Sequence, residues 1–198
     1  MGASTTVWLI RHGLTEGAED RCCGRSDVRL SADGIKQAKE IATRIARESI
    51  SHFYSSHLSR AIETARIVVE PHGLPVHTLN ELAEMDFGDL EGLRYKEIQE
   101  RYPDIFQSWM NSPTETRFPN GESFTLMSIR VLGALNLLLS RHRNQSIAVV
   151  THAGVIRLIL AQALSIPDHQ IFRLAQGYGA INRIEYSDHG SVVQLMNG

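Results

Sequence analysis

Cysteine is nearly missing from this chain: there are two in 198 residues, and they are neighbours, Cys22 and Cys23. Adjacent cysteines suit neither an ordinary disulfide nor a chelate. A disulfide framework is therefore excluded, and a reducing compartment, the cytoplasm, is the simplest assignment. An excess of one charge is missing too. Twenty Lys and Arg against 22 Asp and Glu leave a formal net charge of -2, so no general field draws the chain to nucleic acid or to an anionic membrane, and any anion site must be local. No apolar run reaches membrane-spanning length and no secretory signal precedes the first strand; Met1 to Thr6 fits a loose myristoylation pattern but reads as a bland leader. Repeats, linkers and low-complexity segments are absent.

What is present is a balanced composition, 42% hydrophobic and 21% charged, over a length that supports one core, so a single domain spanning 1–198 is expected. Val7 to Ile10 reads as a buried strand. Ser31 caps a helix to about Glu48, with Ile35, Ala38, Ile41, Ala42 and Ile45 on one face. A strand over Phe53 to Ser55 leads into a serine-capped helix that ends at Pro71-His72-Gly73, and Val76 to Leu79 is a third strand. Glu81 to Leu93 reads as an acidic, glycine-punctuated loop. Tyr95 to Met110 reads as helix broken at Pro103, and 111–121 as a surface loop or lid within a cap region of about 81–121. Glu122 to Arg143 is a long helix, and Ile147 to Val150 a strand that restarts as helix after His152. Phe172 to Ala175, Ala180 to Tyr186 and Val192 to Met196 read as short strands. The alternation predicts a three-layer α/β/α sandwich, a mainly parallel sheet with helices on both faces.

In such a sheet, ligands bind beyond the carboxyl ends of the strands. Three strand-to-helix junctions carry Arg11-His12-Gly13, Arg60 and His152, and parallel strands would present all three at one edge. Two arginines can grip phosphoryl oxygens, one histidine can attack phosphorus, and the other can stabilise the charge on it, helped by backbone amides at the helix after His152. Together these describe a phosphoryl-transfer site. A proton donor for the leaving oxygen is still needed, and Glu81, Glu84, Asp86, Asp89 and Glu91 all qualify by position. The other histidines, His52, His57, His72, His77, His142, His169 and His189, share no metal-binding spacing, so neither metal nor cofactor is expected.

Arg11-His12-Gly13 with Thr15, the segment Gly24 to Ser31, Ser56 to Ala65, Glu84-Met85-Asp86-Phe87-Gly88-Asp89-Leu90-Glu91-Gly92, Gly121-Glu122-Ser123 and Thr151-His152-Ala153-Gly154 resemble, block by block and in order, the histidine phosphatase (phosphoglycerate mutase-like) family. The resemblance covers nearly the whole chain. It implies that His12 is the phosphorylated nucleophile, that Arg11, Arg60 and His152 form the phosphate pocket, and that Glu84 is the acid and base. Thr15, Gly24, Arg25 and Ala153 are expected to line the substrate pocket.

Two departures bear on substrate. Family members commonly carry an Asn shortly after the Arg-His-Gly turn, where this chain has Gly17-Ala18-Glu19, so that phosphate contact is either missing or supplied by Thr15 or Arg25. Phe87 and Tyr95 stand where the mutase branch usually has Tyr and Lys. The expected reading is therefore a phosphomonoesterase for small phosphorylated metabolites, similar to alpha-ribazole phosphatases and broad-specificity members, inhibited by phosphate or vanadate. A phosphoglycerate mutase and a non-catalytic phosphate-binding scaffold remain the alternatives. A homodimer is carried as one option.

Overall fold

Apolar side chains run without a break through two central strands, and that pattern requires cover on both faces. In the computed structural model, which describes residues 4–17 and 20–198, the two strands are β1 (Thr5–Arg11) and β4 (Ser146–Thr151). The leader at residues 1–3 and the Ala18-Glu19 part of the short turn lie outside the described residues. Strand alternation sends Val7, Leu9, Ile147 and Val149 to one core and Trp8, Ile10, Ala148 and Val150 to the other. Helices α1 (Ala32–Ile45) and α2 (Ser59–Val69) cover the second face. Helices α5 (Phe124–Arg141) and α6 (Ala153–Leu164) cover the first.

The sheet has six strands in the order β3-β2-β4-β1-β5-β6, with β2 at His52–Ser56, β3 at Val76–Leu79, β5 at Ile181–Ser187 and β6 at Gly190–Leu195. The four strands from β3 to β1 are mutually parallel, while β5 and β6 run antiparallel at one edge. The fold is thus the expected α/β sandwich with a mixed rather than uniform sheet. Between β3 and α5 lie α3 (Tyr95–Arg101) and α4 (Pro103–Asn111), divided at Pro103 as the sequence predicts.

Several local expectations are corrected. Phe172 to Ala175 is not a strand: Asp168–Arg173 is a 3-10 turn begun by Pro167, whose carbonyl accepts the amide of Gln170 at 2.8 Å, and it turns Ile171 and Leu174 inward three residues apart. Ile35 is 40% exposed. Gly34 takes the buried place instead, because the helix presses there against the backbone of Gly13 and Leu14, where a side chain at either glycine would collide with the other strand of chain. No serine side chain caps α2; its N-cap is Leu58, and Asp27 from the neighbouring loop accepts the amide and hydroxyl of Ser59 at 2.8 and 2.7 Å. The acidic stretch from Glu81 to Leu93 is only half surface, since Leu82, Ala83, Met85 and Leu90 are buried. The surface loop 111–121 is pinned by buried Thr116 and Phe118, the latter edge-on to Phe87 and Trp109. Finally, α5 is long and apolar enough to cross a membrane by length and composition, contrary to expectation. Here it lays Phe124, Met127, Val131, Leu135 and Leu138 on the sheet.

Candidate active site

Parallel pairing decides the site. Arg11 stands opposite Thr151 in the β1–β4 ladder, so the next residues, His12 and His152, leave the sheet side by side, their rings edge to face with centroids 5.1 Å apart. Both side chains are buried.

His12 Nδ1 lies 2.8 Å from the carbonyl of Gly13, which can only accept, so this nitrogen carries the proton and Nε2 keeps its lone pair. Toward that lone pair Arg60 directs its Nε hydrogen, at 3.2 Å. Burial first, and then the Arg60 guanidinium, hold the imidazole pKa well below the usual histidine value; the Gly13 hydrogen bond opposes this and Arg11 adds to it. The result is a neutral imidazole in a cationic setting, which is what an anionic electrophile requires of a nitrogen nucleophile.

Arg60 sits in the first turn of α2, where a cation opposes the helix dipole. Asp27 supplies the compensating negative charge at that end, its own pKa lowered by the hydroxyl and amide of Ser59. Nearly inaccessible, the guanidinium also donates to the carbonyls of Ser26, at 2.7 Å, and Gly24. Arg11 closes β1. Its guanidinium stacks 3.7 Å above the Tyr178 ring and donates to the carbonyl of Gln176, while its buried Nε has no partner among the described residues.

His152 is the N-cap of α6. Its Nε2 is 2.8 Å from Ser56 Oγ, and its buried Nδ1 has no partner among the described residues. Burial, followed by Arg60 and His12, lowers its pKa well below the ordinary value. Glu84 lies against the start of α6, with Oε2 accepting the amide of Gly154 at 3.0 Å and Oε1 that of Met85 at 3.0 Å. Any side chain on Gly154 would strike this carboxylate. The other four carboxylates are engaged elsewhere or exposed. Glu91 accepts the amides of Gly24, Arg25, Ser26 and Phe87; Asp86 faces Arg25 at 3.6 Å and accepts the amide of Gly88; Asp89 holds Asn120; and Glu81 is exposed.

A neutral histidine between two arginines, a second histidine at a helix start and one carboxylate beside them form a site for phosphoric-ester chemistry. The sequence model of the histidine phosphatase superfamily (branch 1) matches residues 7–198. This chain belongs to that superfamily. Over 96% of its length this histidine phosphatase is 31% identical to the adenosylcobalamin/alpha-ribazole phosphatase of Escherichia coli, covering 95% of that protein. It is 38% identical to phosphoglycerate mutase-like protein 4 of Arabidopsis thaliana over 79% of this chain and 70% of the relative. The crystal structure of an alpha-ribazole phosphatase from Shigella flexneri superposes with a TM-score of 0.90 at 30% identity, covering 98% and 96% of the two chains.

The secondary expectations for this histidine phosphatase divide. Gly24 is in the loop that Arg60 and Glu91 hold, and Ala153 is the first residue of α6. Thr15 is buried in a bridge to Leu30. Arg25 stands at the exposed rim, 3.6 Å from both Asp86 and Glu122.

The sequence offers no role for one supporting residue and a different role for another. Arg130, on α5, donates to both carboxylate oxygens of Glu122 at 2.7 Å and to the carbonyls of Glu81, Ala83 and Glu84 at 2.7, 2.7 and 3.1 Å. All five guanidinium hydrogens are engaged, and the backbone carrying Glu84 is fixed by them. Glu91, a candidate acid by position, instead accepts three successive loop amides through its carboxylate. Only the carboxylate of Glu122, eight residues before Arg130, offered a local hint; the other partners lie 46 residues or more away.

Proposed function

We propose that this enzyme hydrolyses phosphate monoesters by two in-line displacements at His12 Nε2. A phosphate ester displaces the weak Arg60 contact from that nitrogen and brings its oxygens to Arg11, Arg60 and His152. The Nε2 lone pair forms the N–P bond as the ester P–O bond breaks, and the departing oxygen takes a proton from Glu84. Water then attacks phosphorus, giving its proton to the Glu84 carboxylate. The N–P bond breaks, phosphate leaves, and neutral His12 is restored.

In this scheme His152 donates through Nδ1 to a phosphoryl oxygen, with Ser56 donating to Nε2 and so setting the tautomer. The observation that carries the reading is the tautomer and environment of His12, whose unprotonated nitrogen faces the Arg60 guanidinium and whose pKa burial, Arg60 and Arg11 all lower. Small phosphorylated metabolites are the substrate class, and phosphate and vanadate are expected inhibitors. Alpha-ribazole phosphate is a specific candidate, supported by the relatives named for it.

The test is to trap the intermediate. Brief mixing with labelled substrate and acid-free quenching should leave label on His12, and His12→Ala should abolish turnover in a folded protein. Absence of label together with turnover by His12→Ala would sink the covalent mechanism. Transfer from phosphorylated enzyme to a second substrate faster than to water would identify a mutase instead.

A further inference from the structure

Glu84 and Gly154 form one wall of a cavity of about 190 Å³ whose remaining lining is unlike that of the phosphate pocket. Phe87, Trp109, Phe124, Met127 and Phe172 line it, with Tyr95 at its edge. They come from three separated stretches: the cap with α3 and α4, the buried face of α5, and the turn after α6. Phe172 is 50% exposed and Tyr95 39%. Two large aromatic side chains left in water beside a cavity that opens on the acid are a feature of ligand sites, where apolar walls carry a few polar groups.

The polar groups here are one guanidinium, Arg157, and one carboxyl group, Glu84. Arg157 anchors its Nε on the carbonyl of Leu174 at 2.9 Å, and its guanidinium lies 5.5 Å from the Phe172 ring centre. Burial lowers its pKa while Glu84 opposes that shift. Arg157 is already engaged by the Leu174 carbonyl and the Phe172 ring, and an added carboxylate would be desolvated among aromatic rings. A cavity of about 150 Å³ suffices for benzene, so the space here admits a flat ring.

Resting on the phosphatase reading above, we propose that this chamber seats the alcohol portion of the ester and selects a flat, uncharged ring over a carboxylate-bearing chain. Trp109 and Phe172 would be its specificity-determining residues, with Arg157 as the polar handle at the wall. An aromatic ring on the substrate would stack against them offset or edge-on.

Binding separates this claim from the chemistry. Affinities of the full chain for methylphosphonate, benzylphosphonate and 2-carboxyethylphosphonate, measured by calorimetry, require no turnover. Benzylphosphonate should bind roughly tenfold to a hundredfold more tightly than either of the others. The ratio of benzyl to methyl affinity should collapse in Trp109→Ala and, separately, in Phe172→Ala; the half-exposed Phe172 can be truncated without loss of the fold. Equal affinity for the three ligands would overturn the inference. So would tightest binding of the carboxylate ligand with its advantage lost in Arg157→Ala. Both results leave the phosphohistidine reading standing, whereas failure of every phosphonate to bind would remove the phosphate site and this inference with it.

Discussion

Arg60 Nε lies 3.2 Å from His12 Nε2, so the guanidinium aims a hydrogen at the one nitrogen on the ring that keeps a lone pair. Burial first, and this contact second, keep the imidazole neutral. Two expectations attach to it. In Arg60→Met, loss of the positive charge raises the His12 pKa, read by NMR titration of the ring. Vanadate affinity should fall by about 2 to 5 kcal/mol, as expected for removal of a desolvated charge contact. An unmoved titration with unchanged vanadate affinity would place Arg60 outside the phosphate pocket.

Buried neutral histidines make stability depend on pH in a definite direction. The folded pKa values of His12 and His152 are both depressed, so below about pH 6.5 the unfolded chain binds protons that the folded chain refuses. The stability these sites contribute is fully present above that pH and declines as pH falls through the window between the ordinary value and the depressed ones. Denaturant midpoints should drop progressively below about pH 6.5, and less so in the double variant His12→Gln with His152→Gln. The acid limb of kcat/KM should correspondingly show no break at the pKa of a free imidazole.

Glu84 is tested through the leaving group. Nitrophenolate departs without a proton near neutral pH, whereas an alkoxide does not. Glu84→Gln should lower turnover of an alkyl phosphate by roughly a hundred- to ten-thousand-fold, while formation of phospho-His12 from nitrophenyl phosphate suffers far less. In the proposed scheme the same carboxylate activates water, so phospho-His12 should accumulate with the aryl ester. Equal losses on both esters without accumulation would reduce Glu84 to a pocket-shaping role.

Arg130 is expected to act through Glu84. Its guanidinium holds the carbonyls of Ala83 and Glu84 against the carboxylate of Glu122, and Lys has neither the planar fork nor five donors. Arg130→Lys should therefore keep the fold and reproduce, in weaker form, the leaving-group pattern of Glu84→Gln. Arg130→Ala should also destabilise by about 3 to 5 kcal/mol, because the nearly buried Glu122 keeps only its longer 3.6 Å contact with the exposed Arg25. Equal effects on aryl and alkyl esters in Arg130→Lys would show a purely structural role.

The strand ends were legible because they are local. An apolar run that stops at Arg11-His12-Gly13 or at Thr151-His152-Ala153-Gly154 announces a strand, its end and a reactive side chain within a few residues, and the alternation of helix and strand implied that such ends share an edge. Glu84 was different: five carboxylates fell in one acidic stretch, and family resemblance singled it out where spacing did not. In the structure Glu91 is taken up by loop amides and Asp86 by Arg25, engagements made with residues more than 60 positions away.

By itself, then, the sequence determined the elements whose signal is periodic or local: two core strands buried on both faces, the apolar stripes of α1 and α5, the break at Pro103, and the histidine and arginine junctions. Tertiary structure decided what depends on pairing between distant residues. The antiparallel edge of β5 and β6, the exposure of Ile35, the burial of Leu82, Ala83, Met85 and Leu90, the Arg130 clamp and the aromatic chamber around Glu84 are all of this kind. Their physical basis is the packing of surfaces that meet only after the chain has closed. A side chain's period states which face it lies on, but only the completed fold supplies the partner across from it.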